Sequence, residues 1–183
     1  GYIVNAAQRM CDLLTDLLAY SRVTSKANPF KNVQMNPLIE EVLDDLQLVI
    51  EETQAHIDVA ALPDAVADQV QLRQLFQNLI GNSLKYHDAD RPPRISISGT
   101  EDDYFVRYEV SDNGIGFNQQ YSEQVFEIFK RLHDKQSFSG TGMGLAICRK
   151  IVQRHGGTIV ASSTENVGTT MYIELSKQVV SNE

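Results

Sequence analysis

An amphipathic helical pattern running straight into a pair of alternating strand patterns occurs twice in this chain, and that succession limits the fold more than any other feature. In the first instance Asp68 precedes apolar residues at helical spacing, Leu72, Leu75, Phe76, Leu79, Ile80 and Leu84, which predicts a capped helix through about Tyr86. Arg94 to Ser98 and Tyr104 to Ser111 follow, with Ile95 and Ile97 on one face of the first strand and Val106, Tyr108 and Val110 on one face of the second. Asp102-Asp103 in the turn makes them an antiparallel hairpin. The second instance is a helix over 141–155, stopped by Gly156-Gly157, then strands Thr158 to Ser162 and Thr169 to Leu175. Strands with one apolar face need a cover, and each helix has one apolar face to offer. The prediction is an α/β fold: a two-layer sandwich with helices on one face of a mixed, largely antiparallel sheet.

Upstream, Asn36-Pro37 reads as a helix start, and a helix to about Thr53 would turn Leu38, Ile39, Val42, Leu43, Leu46, Val49 and Ile50 inward. Ile57 and Val59 make a short strand before Pro63, and Thr24 to Val33 breaks the periodicity as a linker would. From Tyr2 to Val23 a seven-residue repeat sets Ile3, Met10 and Leu17 at one seam position and Ala6, Leu13 and Tyr20 at the other. Leu14 and Leu18 widen the stripe, so this is a bundle helix that needs another helix, and self-association through it is expected. A start at Gly1 inside that pattern predicts a piece of a longer chain.

Sixteen basic against 24 acidic residues give a net charge of −8, and no basic stripe is present to track a phosphate backbone, so nucleic acid is not an expected partner. No stretch approaches the roughly 18 to 20 apolar residues that cross a bilayer, so the expectation is no membrane contact and a cytoplasmic setting. Cys11 and Cys148 sit in apolar helical patterns, which predicts two buried free thiols in a reducing compartment.

The glycines are clustered where chemistry could sit. Gly114 and Gly116 follow a strand, while Gly140, Gly142 and Gly144 open a helix, whose free N–H groups attract phosphate. A dinucleotide fingerprint would need glycine where Leu145 stands, and the P-loop pattern is absent. Asn78 and Asn82 lie one above the other on the helix over 68–86, with Lys85 and Tyr86 a turn later, a set able to meet a hard cation and a phosphate. Between the glycine clusters, Asn118 to Ser139 is polar and irregular around Phe126, Ile128 and Phe129, as a lid would be.

Taken in order, Asn78 to Tyr86, Asp112-Asn113-Gly114-Ile115-Gly116-Phe117, Phe126 to Arg131 and Gly140-Thr141-Gly142-Met143-Gly144-Leu145 resemble the N, G1, F and G2 boxes of the ATP-binding domain of sensor histidine kinases, within the gyrase, chaperone, kinase and MutL superfamily. The resemblance covers about Met35 to Lys177, and Phe129 to His133 with its short lid is similar to phytochrome-like members. It implies a Bergerat-type sandwich over 35–177, a linker over 25–34, a tail over 178–183, and, over 1–24, the second helix of a dimerisation and phosphoacceptor hairpin. It also implies roles residue by residue. Asn82, assisted by Asn78, would hold Mg²⁺ against the ATP phosphates, and Lys85 would contact phosphate beside Tyr86. Asp112 would accept the adenine amino group, with Thr169 near the same ring edge, and Gly114, Gly116 and Phe117 around the base. Gly140 through Leu145 would cradle phosphates, Phe126 and Phe129 would anchor the lid, and Arg131 could reach a phosphate or stand in solvent.

Superfamily members that hydrolyse ATP carry a glutamate one turn before the metal-binding asparagine, whereas this chain has Asn78 there. An amide cannot take a proton from water, which favours transfer to a protein histidine over hydrolysis. The implied acceptor lies on a helix before Gly1, and none of His56, His87, His133 or His155 replaces it; His155, at a helix end, is placed where the dipole favours a cation. The implied partners are a second copy, paired through Tyr2 to Val23, and the receiver domain of a response regulator. The competing reading is a nucleotide-binding and dimerisation module of a degenerate kinase that signals by conformation alone.

Overall fold

The computed structural model describes residues 2–132, 138 and 140–178; the predicted lid stretch around His133 and Ser139 and the end of the tail lie outside the described residues. Among the described residues five helices and seven strands run α1 (Tyr2–Ser25), β1 (Lys31–Val33), α2 (Met35–Asp45), α3 (Gln47–Thr53), β2 (His56–Val59), β3 (Ala65–Ala67), α4 (Gln69–Lys85), β4 (Arg94–Glu101), β5 (Phe105–Asp112), α5 (Gly144–Arg154), β6 (Thr158–Thr164) and β7 (Gly168–Ser176), with single 3₁₀ turns at Gln119–Tyr121 and Gln124–Phe126.

The main sheet has the order β2-β4-β5-β7-β6, with β2 parallel to β4 and every other pair antiparallel. Both predicted hairpins form, and their apolar faces, Ile95, Ile97, Val106, Tyr108, Val110, Ile159, Ala161, Ile173 and Leu175, are buried on one side. The cover is α4, through the apolar positions read from its sequence, and α5, through Ile147, Cys148, Ile151 and Val152. Tyr108 packs edge-on to Phe76 of α4 at 5.6 Å between ring centroids and donates its hydroxyl to Pro63 O at 2.7 Å, so even the largest core ring keeps its polar end satisfied.

Several expectations need correction. The helix over 36–53 breaks at Leu46, whose N–H is shared between Val42 O and Leu43 O; the apolar period is the same on both sides of the break, so the pattern could not reveal it. Asn36 lies inside α2 and is not its cap. Its side chain instead accepts from Leu62 N and donates to Ala60 O, each at 2.9 Å, tying the following loop to the helix. The predicted linker contains β1, which pairs antiparallel with β3; strands of three residues are too short to show a period. Cys148 is buried, but Cys11 is exposed, because the domain buries little of α1, fully only Val23 near its C-terminal end. There Val23 is buried, Ala19 and Tyr20 are partly so, and Lys150 of α5 donates to Tyr20 O at 2.9 Å from a position 4.1 Å over the Tyr20 ring. Ile3, Met10, Leu14, Leu17 and Leu18 remain exposed.

His155 is not a cation at a helix end. Its ring is 1% exposed and stacks on Phe30 at 4.5 Å, and burial holds its pKa below the usual imidazole value. Nε2 accepts from Asp68 N at 3.1 Å, which assigns the proton to Nδ1, donated to Ile151 O at 2.7 Å. Asp68 caps α4 as predicted, accepting from Val70 N and Gln71 N, and is also ion-paired to Arg154 at 3.2 Å. Among the described residues no helix is long and apolar enough to cross a membrane.

Candidate functional site

Register between β5 and β7 sets Asp112 opposite Thr169, a pairing of residues far apart in sequence. Asp112 Oδ1 accepts from Gly114 N at 2.8 Å and Thr169 N at 3.3 Å, and Oδ2 accepts from the Ser83 hydroxyl of α4 at 2.9 Å. Burial raises the Asp112 pKa above the ordinary carboxylate value, and these three hydrogen bonds act against that rise. Ser163 gives its proton to Gly168 O at 3.1 Å and accepts from Phe117 N at 2.9 Å, which leaves the Thr169 hydroxyl as donor in their 2.8 Å contact. One end of the site is therefore a fixed carboxylate edge.

Gly114 and Gly116 are required by backbone packing. A Cβ at Gly114 would lie 2.4 Å from Tyr86 O, where Ile115 N donates to the same carbonyl. At Gly116, φ is +59° and a Cβ would stand 2.1 Å from Thr164 O.

At the other end, α5 begins at Gly144, three residues later than Thr141, and no side chain caps it. Its first residues, Gly144 and Leu145, line the same cleft as Asn78, Asn82 and Lys85, which share one side of α4 as their spacing predicted. Asn78 donates to Gly144 O at 3.3 Å, which ties the start of α5 to the middle of α4. Lys85 Nζ stands 4.6 Å over the Tyr86 ring and would be 2.6 Å from a Cβ at Gly140. Gly142 has φ +78°, and its carbonyl accepts from Phe129 N at 3.1 Å.

These parts enclose one cleft of about 530 Å³ that also takes in Gly116, Phe117, Lys130, Arg131, Thr141, Leu145 and Met171. Of the predicted site residues, Gly114, Met143, Phe126 and Phe129 do not line it. Met143 is fully buried beneath the loop, and Phe126 is in the core with Arg149 4.3 Å over its ring. Phe129, paired with Phe126 in the sequence reading, is by contrast 56% exposed at φ +63°. Arg131 donates to Gly140 O at 2.7 Å and to Phe138 O, so in this conformation it closes the loop on itself.

Ser83 and three residues of α1 were not legible as contributors. Ser83 follows Asn82 with nothing to distinguish it from a core position. Asp12, Thr15 and Asp16 of α1 line the mouth, with Asp16 accepting the Thr141 hydroxyl, and nothing in a heptad helix announces contact with a distant glycine loop. Among the described residues no group of three His, Cys, Asp or Glu could hold a metal ion. Asn78 and Asn82, which line the cleft, carry amide oxygens of the kind that suit a hard cation keeping most of its water and sharing a phosphate.

Residues 67–179 match the family described as histidine kinase-, DNA gyrase B-, and HSP90-like ATPase. The phytochrome-like protein Cph1 of Synechocystis sp. is 38% identical over 174 residues, covering 95% of this chain and 23% of that protein. The sensor histidine kinase WalK of Bacillus subtilis is 33% identical over 180 residues, covering 93% of this chain and 29% of that protein. The catalytic domain of the histidine kinase ThkA superposes with a TM-score of 0.69 at 26% identity, over 82% of this chain and 99% of that one. ThkA in complex with the response regulator TrrA matches at TM-score 0.73 over 99% of this chain and 51% of that one, a likeness at 24% identity that speaks to the fold alone. The chain spans about a quarter of the length of the curated relatives it matches.

Proposed function

The chain belongs to the family of histidine kinase-, DNA gyrase B- and HSP90-like ATPases, and from that premise we propose that it is the ATP-binding catalytic part of a two-component sensor histidine kinase. The observation that carries the reading is the two-ended cleft: a carboxylate edge at Asp112, and an uncapped helix N-terminus facing Asn78, Asn82 and Lys85.

Asp112 Oδ2 accepts one hydrogen bond, from Ser83, and has a lone pair left for the adenine amino group. The base then lies against Gly116, Phe117 and Met171, and the phosphates extend to the N–H groups of Gly144 and Leu145. Asn82, with Asn78 beside it, would hold Mg²⁺, which supplies charge neutralisation between phosphate oxygens. Lys85 meets phosphate charge directly. Arg131 would exchange the Gly140 and Phe138 carbonyls for a phosphate oxygen as the lid closes.

In the reaction an imidazole nitrogen of a histidine upstream of Gly1 attacks the γ-phosphorus, the bond to the ADP oxygen breaks, and the phosphoryl group passes next to an aspartate of a response regulator. Positioning and charge stabilisation carry most of such a transfer. The amide of Asn78 cannot take a proton from water, which supports transfer over hydrolysis. In the whole protein α1 would pair with a second copy through its exposed apolar stripe.

Titration with a fluorescent ATP analogue tests the binding half: wild type binds with Mg²⁺, and Asp112→Ala and Asn82→Ala weaken it. For the transfer half, labelled ATP is supplied to a chain extended by the preceding helix. Acid-labile label should appear on the extended chain and not on this one; its absence from both would favour a module that signals by conformation alone.

A further inference from the structure

Arg91 stands between α4 and β4, in a segment that neither carries a glycine cluster nor faces the cleft. Its Nη2 donates to Gly114 O at 3.2 Å and to Asn166 O at 3.3 Å. Gly114 belongs to the loop after Asp112, and Asn166 to the turn that leads into Thr169, so one guanidinium joins the two backbone segments flanking the carboxylate edge. Among the described residues no other donor reaches either carbonyl, and Arg91 has no carboxylate partner. Its Nε is buried and unpaired, a disposition tolerated when the far end of the group is held in place by something worth more than that nitrogen's own hydrogen bond.

The neighbouring chain is arranged to hold it. Pro92 and Pro93 restrict the backbone directly after Arg91, and the Asn113 side chain grips the same stretch by accepting from Arg94 N at 2.7 Å and donating to Pro92 O at 3.3 Å. Asn166 N in turn donates to Ile115 O at 2.7 Å, so the loop, the turn and the segment over 91–94 form one clasp with Arg91 across its middle.

We propose that Arg91 is a positioning residue for base recognition: by bridging Gly114 and Asn166 it sets the separation of the two segments that present Asp112 and Thr169, and with it the selectivity for a 6-amino purine. The inference rests on the reading of Asp112 as the acceptor for the adenine amino group. A guanine base places a carbonyl oxygen against that carboxylate, which repels it, so selectivity depends on the edge being held and not only on its charge. Lysine carries a single ammonium on a shorter stem with freely rotating donors, so it would hold the two carbonyls less rigidly than the planar Nη2 group does.

The test is competition of ATP and GTP against a fluorescent nucleotide on the full chain, for wild type, Arg91→Lys, Arg91→Met and Asp112→Ala, with urea unfolding of each. The expected result is that Arg91→Met loses about tenfold in ATP affinity, the equivalent of about 1.4 kcal/mol, while its weak GTP affinity is unchanged, with Arg91→Lys between it and wild type. Unchanged ATP affinity in Arg91→Met, or equal losses for ATP and GTP that track a lower urea midpoint, would overturn the proposal and leave the nucleotide site standing. If wild type prefers neither nucleotide and Asp112→Ala behaves like it, the reading of Asp112 fails and this inference falls with it.

Discussion

Asp68→Ala should be among the most damaging single substitutions in the chain. The Asp68 side chain is fully buried and Arg154 is 11% exposed, so their 3.2 Å ion pair is largely out of water. Asp68 also caps α4 through Val70 N and Gln71 N and accepts from Asn28 N at 2.8 Å. Losing the cap costs about 1 kcal/mol, and removing one partner of a buried pair costs about 3 to 5 kcal/mol because a buried charge is left uncompensated. Arg154 keeps Gln71 Oε1 at 2.8 Å and Asn28 O at 2.9 Å, and its guanidinium still lies 4.6 Å over Phe30. That places the total near the lower end, about 3 to 4 kcal/mol, a large part of the roughly 5 to 15 kcal/mol that holds a typical domain folded. Arg154→Met should cost less, about 2 kcal/mol, since the Asp68 carboxylate retains three backbone donors. Urea unfolding of both single variants and of the double variant measures these losses and their coupling. A loss below about 1 kcal/mol for Asp68→Ala, or strict additivity in the double variant, would show that this node is solvated and that the reasoning is wrong.

Further outcomes follow from the site and the surface. Asp112→Asn should abolish selective ATP binding yet stabilise the fold at neutral pH. The raised pKa makes the ionised carboxylate a cost to the folded state, and the gain should shrink as pH falls through that value in urea unfolding at several pH values. Ser83→Ala removes a hydrogen bond that lowers this pKa, so the acid limb of ATP-analogue affinity should move to higher pH than in wild type. A thiol reagent should modify one cysteine in the native protein and two in urea, because Cys11 is exposed while burial pushes the Cys148 thiol up to about 12. Sedimentation should show self-association that is lost when residues 1–18 are removed, since Ile3, Met10, Leu14, Leu17 and Leu18 are exposed and burying each is worth about 1.5 to 3 kcal/mol; equal monomeric behaviour of both chains would refute it.

Periodicity and glycine placement carried much of this protein in the sequence itself. The apolar spacing of α4, the alternation in both hairpins and the cap at Asp68 are local, with periods of 3.6 and 2 that need no knowledge of the partner. They determined the two layers and put Asn78, Asn82 and Lys85 on one side of a helix. The break at Leu46 and the three-residue strands left no periodic trace, and the exposure of Cys11 depends on how little of α1 the domain covers. What the tertiary structure alone decided is which distant residues meet. Ser83 joins Asp112, Arg91 bridges Gly114 and Asn166, and Asp16 reaches Thr141. Such contacts arise from register and packing between segments whose order along the chain is arbitrary, and a glycine that looks reserved for a ligand can owe its place to a carbonyl such as Tyr86 O that only the folded chain brings near.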